Sequence, residues 1–428
     1  MKQTTFCRGE NRLGRSAGFV LLLVVLTLMG ILGVVFVTSL ASGSEKTARS
    51  ASTARALAKA KDALLSYAIA RDEPGRPGEF PCPTTVAPTA AGYGTSAGAC
   101  ATVRMGRLPW KTLGIEELFD SDGEPLWYAV SNNFRRLSPK INSDTMGDLT
   151  VYATGGSIVQ ANQVVAVIFS AGAPLLGQNR TSTVSFCATT LTSIAGNVCA
   201  VNYLDTSSSR NNATNAGPYI ADRPNATMND QLIYIQTADF MPKIEVRIAA
   251  ILTRTLNGYY VMNGYYPYAA NYADITDPNQ LNCANGLYAG RLPFNITANP
   301  LTGMPCAGLA EWPGVATPNS LPTWFTVNEW NTAIHYVIGK AFEKGGTKVC
   351  ATLGDCLTVD GVSTVQAVFI LPGIATSTQS RPPAPSTPAD YLEAIANRED
   401  WPTPVNYMYV TTSSTLPSRD LVVAIKNP

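Results

Sequence analysis

An internal repeat is the feature of this sequence that most constrains its fold. Five segments from the first half of the chain recur in the same order in the second half. The matched pairs are GRLPW (106–110) and GRLPF (290–294), WYAVSNNF (127–134) and HYVIGKAF (335–342), VVAVIFSAG (164–172) and VQAVFILPG (365–373), NYLD (202–205) and DYLE (390–393), LIYIQTADFMP (232–242) and YMYVTTSSTLP (407–417). Ordered self-similarity of this kind indicates a duplicated structural unit. We therefore expect two tandem domains of one type, over residues 45–242 and 243–428.

Each half is expected to begin with a helix and to continue with strands. ALAKAKDALLSYAIA from Ala56 and IEVRIAAILTRTLNGYY from Ile244 carry apolar residues near helical spacing, and a turn containing Gly and Pro follows each. The second helix is predicted over Lys243–Met262. Runs of β-branched and aromatic residues, such as VVAVIFSAG and VQAVFIL, are typical of strands. This order predicts an α+β fold with a helix packed on an antiparallel sheet in each domain.

A charge-free apolar segment from Phe19 to Leu40 precedes the first domain. It is long enough to cross a hydrocarbon core of about 30 Å as a helix. Its N-terminal flank carries four cations, namely Lys2, Arg8, Arg12 and Arg15. Such a flank favours a cytoplasmic N-terminus and an exported C-terminal part. No proline follows before Ala70. We therefore expect one long helix, with a transmembrane part over residues 19–44 and an amphipathic part beyond it.

The N-terminus resembles that of type IV prepilins and type II secretion pseudopilins. The shared features are a short basic leader, the Gly18–Phe19 junction and an apolar segment that continues into an amphipathic one. The resemblance implies a leader over residues 1–18, cleavage after Gly18 by a prepilin peptidase, and methylation of Phe19. It also implies that the N-terminal helix contacts other pilin-like subunits. Globular pilin heads, which combine a helix, an antiparallel sheet and a disulfide-bearing loop, are similar to the architecture expected here.

One position departs from the family pattern and indicates the type of subunit. Prepilins usually carry glutamate at the fifth mature position, where this sequence has Leu23. The large tip pseudopilin of type II secretion also lacks that glutamate. The resemblance therefore implies a minor subunit that primes or tips a type IV pilus or type II secretion filament. Such a subunit would be a single-pass inner-membrane protein with a cytoplasmic N-terminus and periplasmic C-terminal domains.

Eight cysteines follow the apolar segment and form four close pairs in the sequence. The pairs are Cys82 and Cys100, Cys187 and Cys199, Cys283 and Cys306, and Cys350 and Cys356. Local disulfides in an oxidising compartment are the simplest interpretation, although the spacing alone leaves other connectivities open. The repeat suggests that each half has one pair around its GRLP segment and one pair near its middle strands.

The sequence offers little chemistry for catalysis. There is no phosphate-binding loop, no G-x-S-x-G, no H-E-x-x-H and a single histidine, His335, so we expect no enzymatic activity. The net charge of +1 gives no field for nucleic acid. Asp120, Asp122 and Glu124 surround a glycine and are a weak Ca²⁺ candidate, but Asp and Gly also favour polar turns. We favour the turn and expect no other cofactor.

Two further interpretations remain open from the sequence. A run of tyrosines could form a binding surface, although packing against the second sheet is favoured; its members are Tyr259, Tyr260, Tyr265, Tyr266, Tyr268 and Tyr272. The chain could also be an uncleaved, membrane-anchored periplasmic or surface adhesin or ligand-binding protein. In that case Gly18→Ala would change nothing, whereas in a prepilin it would block maturation.

Overall fold

A computed structural model of the chain describes residues 47–72, 74–153, 158–181, 184–187, 192–195, 199–206, 210–221, 225, 227–270, 288–293, 321–379, 381, 388–398, 406–411 and 418–426. The chain divides into two compact units, Met1–Ala56 and Leu57–Pro428. In the first unit, the described residues are 47–56, and all of them are helical. The predicted leader and the whole predicted transmembrane part, residues 1–44, therefore lie outside the described residues. From Leu57 onwards both repeats belong to the second unit, so the boundaries 45–242 and 243–428 stay a prediction.

The first helix, α1, covers residues 47–70. From Leu57 onwards its buried residues are Leu57, Ala60, Leu64 and Ala68, which recur every three to four positions as an amphipathic helix requires. Among the residues that the structure describes, no helix combines the length and the apolar character needed to span a bilayer. The expected fold, in which a long apolar-to-amphipathic helix carries two pilin-like domains, is therefore wrong. The physical reason is visible in α1, where Lys59 and Lys61 alternate with the buried residues.

The described residues of the first repeat contain eight strands, of which six form one sheet and two form a separate hairpin. The strands are β1 (Met105–Arg107), β2 (Trp127–Val130), β3 (Leu149–Ala153), β4 (Ile158–Ser170), β5 (Val184–Cys187), β6 (Thr192–Ala195), β7 (Tyr219–Ala221) and β8 (Gln231–Gln236). The sheet is built around the long strand β4, and β5 and β6 form the hairpin. The C-terminal half of β4 lies between β2 and β8, and β1 pairs with β2, all antiparallel. The N-terminal half of β4 pairs with β3, which pairs in parallel with β7.

The second repeat has the same topology. Its strands are β9 (Ala289–Arg291), β10 (His335–Ile338), β11 (Leu357–Val359), β12 (Val362–Val365), β13 (Ala367–Leu371), β14 (Met408–Tyr409) and β15 (Leu421–Ile425). The antiparallel sheet has the order β15-β13-β10-β9, and a smaller sheet has the order β12-β11-β14. Here β12 and β13 correspond to the two halves of β4 and are separated at Gln366. The predicted α+β class with antiparallel sheets therefore holds at this coarser level.

The helices of the second repeat begin with α2, which covers Met241–Asn263 and so slightly exceeds the predicted Lys243–Met262. It ends at Gly264, whose φ of 74° is the left-handed conformation that terminates helices. Four short helices follow: α3 (Thr323–Val327), α4 (Trp330–Ala333), α5 (Pro388–Tyr391) and α6 (Ile395–Arg398). Each repeat has its own buried apolar cluster, one around Val167 and Phe169 and the other around Val368 and Ile370.

One of the five sequence matches pairs the wrong strands. LIYIQT contains β8, but its counterpart is β15, because β8 lies beside β4 as β15 lies beside β13. YMYVTT instead contains β14, which pairs in parallel with β11 as β7 pairs with β3. The aspartates before β8 and β15 support this assignment, since Asp230 accepts the amide of Asp205 and Asp420 accepts the amide of Glu393. Short aromatic and β-branched runs resemble one another too closely for local sequence to separate them.

Candidate functional site

Two of the predicted disulfides are present in the described part of the chain. Cys82 bonds to Cys100, and Cys350 bonds to Cys356. Cys199 is buried; the side chain of Cys187 and both members of the pair Cys283 and Cys306 lie outside the described residues. The two middle pairs flank different strands of their repeats. Cys350 and Cys356 precede β11, whereas Cys187 and Cys199 follow β4, the strand after the counterpart of β11.

The acidic cluster at 120–124 forms a turn that anchors the end of β4. Asp120 is buried, and its Oδ1 accepts the amides of Asp122 and Glu124 at 2.9 and 3.0 Å. Its Oδ2 accepts the hydroxyl of Ser170 at 2.8 Å and the amide of Gly172 at 2.9 Å. In the described residues no group of three or more His, Cys, Asp or Glu side chains is arranged to hold a metal ion. The oxygens of Asp120 are thus already occupied by the turn and by the strand end.

A stacked arginine–tyrosine cluster lies at the centre of the first repeat. Arg107 is buried, and its guanidinium carbon lies 4.1 Å from the ring centroids of both Trp127 and Tyr203. A second guanidinium, that of Arg180, lies 4.8 Å from the Tyr203 ring and forms an ion pair of 3.0 Å with Glu124. Burial lowers the pKa of Arg107. Two cations are therefore held by aromatic faces and by one carboxylate from the same repeat.

The second repeat contains an equivalent cluster whose carboxylate comes from the first repeat. Arg291 and Arg381 lie 5.5 and 5.0 Å from the ring of Tyr391. The Arg381 guanidinium pairs with Asp144 of the first repeat at 3.6 Å. Thr332, which precedes β10 by the same distance as Glu124 precedes β2, has no charge. The cluster of the second repeat is thus completed across the boundary between repeats.

The second arginine of each cluster is held by the same loop geometry. Gln178 donates to the carbonyl of Tyr203 at 3.1 Å and accepts from Arg180 at 2.7 Å. Gln379 likewise donates to the carbonyl of Tyr391 at 3.1 Å and accepts from Arg381 at 2.7 Å. Each loop begins at a glycine of positive φ, 58° at Gly172 and 66° at Gly373. The paired Q-x-R segments QNR and QSR were the sequence signal for these loops, and the sequence comparison missed them.

The single histidine belongs to the second cluster. His335 is buried at the position of Trp127 in the first repeat, and its ring centroid lies 5.6 Å from that of Tyr391. Burial and the neighbouring cations Arg291 and Arg381 hold the pKa of His335 well below its usual range. A neutral imidazole that is closed off from solvent packs against the cluster and does not reach a substrate.

The seam between the repeats is formed by the loop that joins β2 to β3. Asn328 of the second repeat accepts the Ile141 amide at 3.1 Å through Oδ1, and its carbonyl accepts the Asn142 side chain at 2.9 Å. Lys140 pairs with Glu329 at 2.8 Å. These bonds connect the loop to the stretch of the second repeat that precedes β10.

The seam continues to a buried carboxylate on α2. Ser143 donates its hydroxyl to Oε1 of Glu245 at 2.8 Å. Burial raises the pKa of Glu245 to about 7, while the bond from Ser143 opposes the rise. Asp144 follows directly, and burial raises its pKa as well, against the attraction of Arg381. Two carboxylates and one guanidinium are therefore enclosed where the repeats meet.

A cleft of about 700 Å³ opens at the same seam. Its lining residues are Pro74, Gly75, Arg76, Glu79, Leu137, Thr323, Trp324 and Val327, so both repeats contribute. Trp324 donates its indole N–H to Asp72 at 2.8 Å, and Arg76 lies 3.7 Å from Glu79. The ionic groups of the lining are thus paired with each other, and the apolar side chains Leu137 and Val327 are exposed.

The tyrosine run packs within the second repeat, as favoured from the sequence, over the residues that are described. The rings of Tyr260 and Tyr266 stack at 4.7 Å, and the Tyr266 hydroxyl donates to Gln366 at 3.0 Å. The hydroxyl of Tyr268 donates to Glu343 at 2.5 Å. Tyr272 lies outside the described residues.

Compared with known protein families, characterised proteins and solved structures, the chain matches none.

Proposed function

We propose that this chain is a non-enzymatic structural subunit of a pilin-like assembly in the cell envelope, in which it primes or tips a type IV pilus or type II secretion filament. The observation that carries the proposal is the basic leader that ends at Gly18–Phe19, directly before a charge-free segment. Leu23 favours a low-copy position, because a subunit with no neighbour above it has no N-terminal amine to neutralise. The partners are prepilin peptidase and other pilin-like subunits.

The described residues support a role in contact rather than in chemistry. The buried cations Arg107 and Arg291 stack on aromatic rings, and the only histidine is neutral and buried. A duplicated module of this kind offers two related surfaces to partners at fixed positions. The disulfides at Cys82 and Cys350 favour an oxidising location, which agrees with anchoring through Phe19–Leu40 and periplasmic domains.

The test is mass spectrometry of the N-terminus from cells with and without the prepilin peptidase. With the peptidase we expect a mature chain that begins at methylated Phe19, and without it a chain that keeps its leader. Gly18→Ala should block cleavage, while the matched control Gly14→Ala, in the same leader, should be processed normally. An unprocessed leader in all of these samples contradicts the proposal.

The alternative is an uncleaved, membrane-anchored adhesin or ligand-binding protein. The cleft of about 700 Å³ at the seam favours it, because ligand sites often lie where two domains meet. Under this alternative Gly18→Ala leaves the mature mass and the activity unchanged. Filling the cleft with Val327→Trp, at an exposed lining residue, would then abolish ligand binding, whereas a processed structural subunit would still assemble.

A further inference from the structure

The two loops that follow the second strand of each repeat share one backbone path. The loop between β2 and β3 and the loop between β10 and β11 have equal length. In the first, the amide of Ser138 donates to the carbonyl of Arg135; in the second, the amide of Gly346 donates to the carbonyl of Glu343. Leu137 has a φ of 65°, and the corresponding Gly345 has a φ of 81°. The equivalence holds even at a position where leucine is strained.

These equivalent loops have different surroundings. The first-repeat loop, through Lys140 to Asp144, is enclosed by the second repeat at the seam. The corresponding segment around residues 344–353 is open in the described part of the chain, where nearly all of its residues are exposed. Val349 and Leu353 are 58% and 72% exposed there, and Lys344 and Lys348 are exposed beside them. The second repeat thus displays an apolar and basic version of the surface that the first repeat buries.

The receiving surface is also present twice. In the second repeat, the stretch before β10 receives the loop through Asn328 and Glu329. In the first repeat, the stretch before β2 is open. Phe119 lies as far before β2 as Val327 lies before β10, and it is 46% exposed. Glu116 and Asp122 are exposed on either side of it in the sequence. This surface is apolar and acidic.

The charges of the open loop and the open receiving surface are complementary. The loop carries Lys344 and Lys348, and the receiving surface carries Asp122 beside Glu116, which already pairs with Lys59 of α1 at 2.6 Å. The number of carboxylates in each arginine cluster also agrees with such a contact. At the internal seam Asp144 on the loop completes the arginine cluster of the receiving repeat. The arginine cluster of the first repeat already contains Glu124. On the open loop, the position equivalent to Asp144 is the neutral Thr352. A contact of the same kind would therefore leave one carboxylate in each cluster.

We infer that the open loop around 344–353 of one copy docks on the open surface around 116–122 of a second copy, as the internal loop docks at the seam. The contact is heterologous, because it uses two different surfaces, and it therefore joins copies head to tail, into a ring or an open filament. The inference deepens the proposed function, on which its biological meaning rests, by naming a second copy as one partner. The contact itself does not depend on processing at Gly18.

The test measures self-association of the full chain, purified in detergent, by sedimentation over a range of concentrations. Lys348→Glu and Asp122→Lys should each raise the dissociation constant about tenfold, since Lys348 corresponds to Lys140, which forms the ion pair at the internal seam, and a reversed charge replaces attraction with repulsion. The double variant should restore association, because the reversed charges again face each other. Lys426→Glu, an exposed change of the same charge on β15's C-terminal flank, is the matched control and should associate as the wild type does.

Mixing the two single variants gives a second, independent measurement. A heterologous contact predicts that the mixture forms dimers, since one intact loop and one intact receiving surface remain, on different copies. Wild-type protein that stays monomeric throughout overturns the inference, as does association that neither single variant weakens. If the chain is processed normally at Gly18 but does not self-associate, the inference is overturned and the proposed function stands. If only processing fails, the proposed function alone is overturned.

Discussion

Glu245 gives the seam a pH dependence that can be calculated from its surroundings. The side chain lies on α2, is buried, and accepts one hydrogen bond from Ser143. Asp144 disfavours its ionisation and Arg381 favours it, but burial is the largest influence and raises the pKa from 4.5 to about 7. Between these two pKa values, the carboxyl group is therefore protonated in the folded protein and ionised in the unfolded chain.

The sign follows from proton uptake. Between about pH 4.5 and pH 7 the folded state binds more protons at Glu245 than the unfolded state, so the free energy of unfolding falls as the pH rises. Below this window Glu245 is protonated in both states and does not destabilise the fold. Above pH 7 the destabilisation by its ionised form is complete. With about 1.4 kcal/mol for each unit of pKa, the total is on the order of 3 kcal/mol.

Glu245→Gln removes the titration and keeps an oxygen that can accept the Ser143 hydroxyl. We expect the variant to match the wild type near pH 4.5 and to exceed its free energy of unfolding by up to about 3 kcal/mol at pH 8. The assay is denaturant unfolding followed by tryptophan fluorescence from pH 4.5 to pH 8. The difference between variant and wild type isolates Glu245 from Asp144, whose pKa is also raised.

The matched control is Glu116→Gln, which removes an exposed carboxylate outside the seam. Its difference from the wild type should not grow between pH 5 and pH 8. A Glu245→Gln difference that stays constant with pH, or that becomes destabilising at pH 8, refutes the reasoning. Either result would mean that the enclosed carboxylate ionises in the folded protein as readily as it does in water.

Two other substitutions test the seam and the repeated sheet. Arg381→Met should lower the free energy of unfolding by about 3 kcal/mol at pH 7, because it leaves Asp144 buried without its cation and removes the stack on Tyr391; chemical denaturation checks this, and a loss no larger than that of the exposed Arg136→Met contradicts it. Gly290→Ala should lower the midpoint of thermal unfolding by several degrees, because its Cβ would collide with the carbonyl of Ala270. Gly98→Ala, where nothing lies within 4 Å of the added Cβ, is the control, and equal midpoints would contradict the expected collision.

The repeat in the sequence predicted the fully buried strands, because packing constrains them in both halves. GRLP, WYAV or HYVI, and VVAVIFS or VQAVFIL form equivalent strands, and Tyr203 and Tyr391 occupy equivalent places beside Arg107 and Arg291. The buried residues of a sheet tolerate few changes, so their similarity survives. Strands β8 and β15 are only partly buried and share only their apolar character, which is why their match was missed.

The candidate site was less accessible from the sequence, because its contacts cross between repeats. Comparing the halves finds what each repeat has in common, but Asp144 acts on the cluster of the other repeat and has Thr352 as its counterpart. The acidic cluster illustrates a second difficulty. Sequence spacing places three carboxylates close together, whereas the fold directs Asp120 inward to Ser170 and pairs Glu124 with Arg180. Only the tertiary structure assigns these partners.

The central claim is that the chain is a structural subunit that assembles with pilin-like proteins. The most direct measurement is quantitative mass spectrometry of the complexes that co-purify with the full chain after mild detergent extraction of membranes, with the Gly18→Ala variant as the matched control. The claim predicts processed pilin-like chains in a fixed ratio to the wild type, and their loss in the variant. Recovery of the wild-type chain alone, or of the same partners in the same ratio with Gly18→Ala, contradicts it.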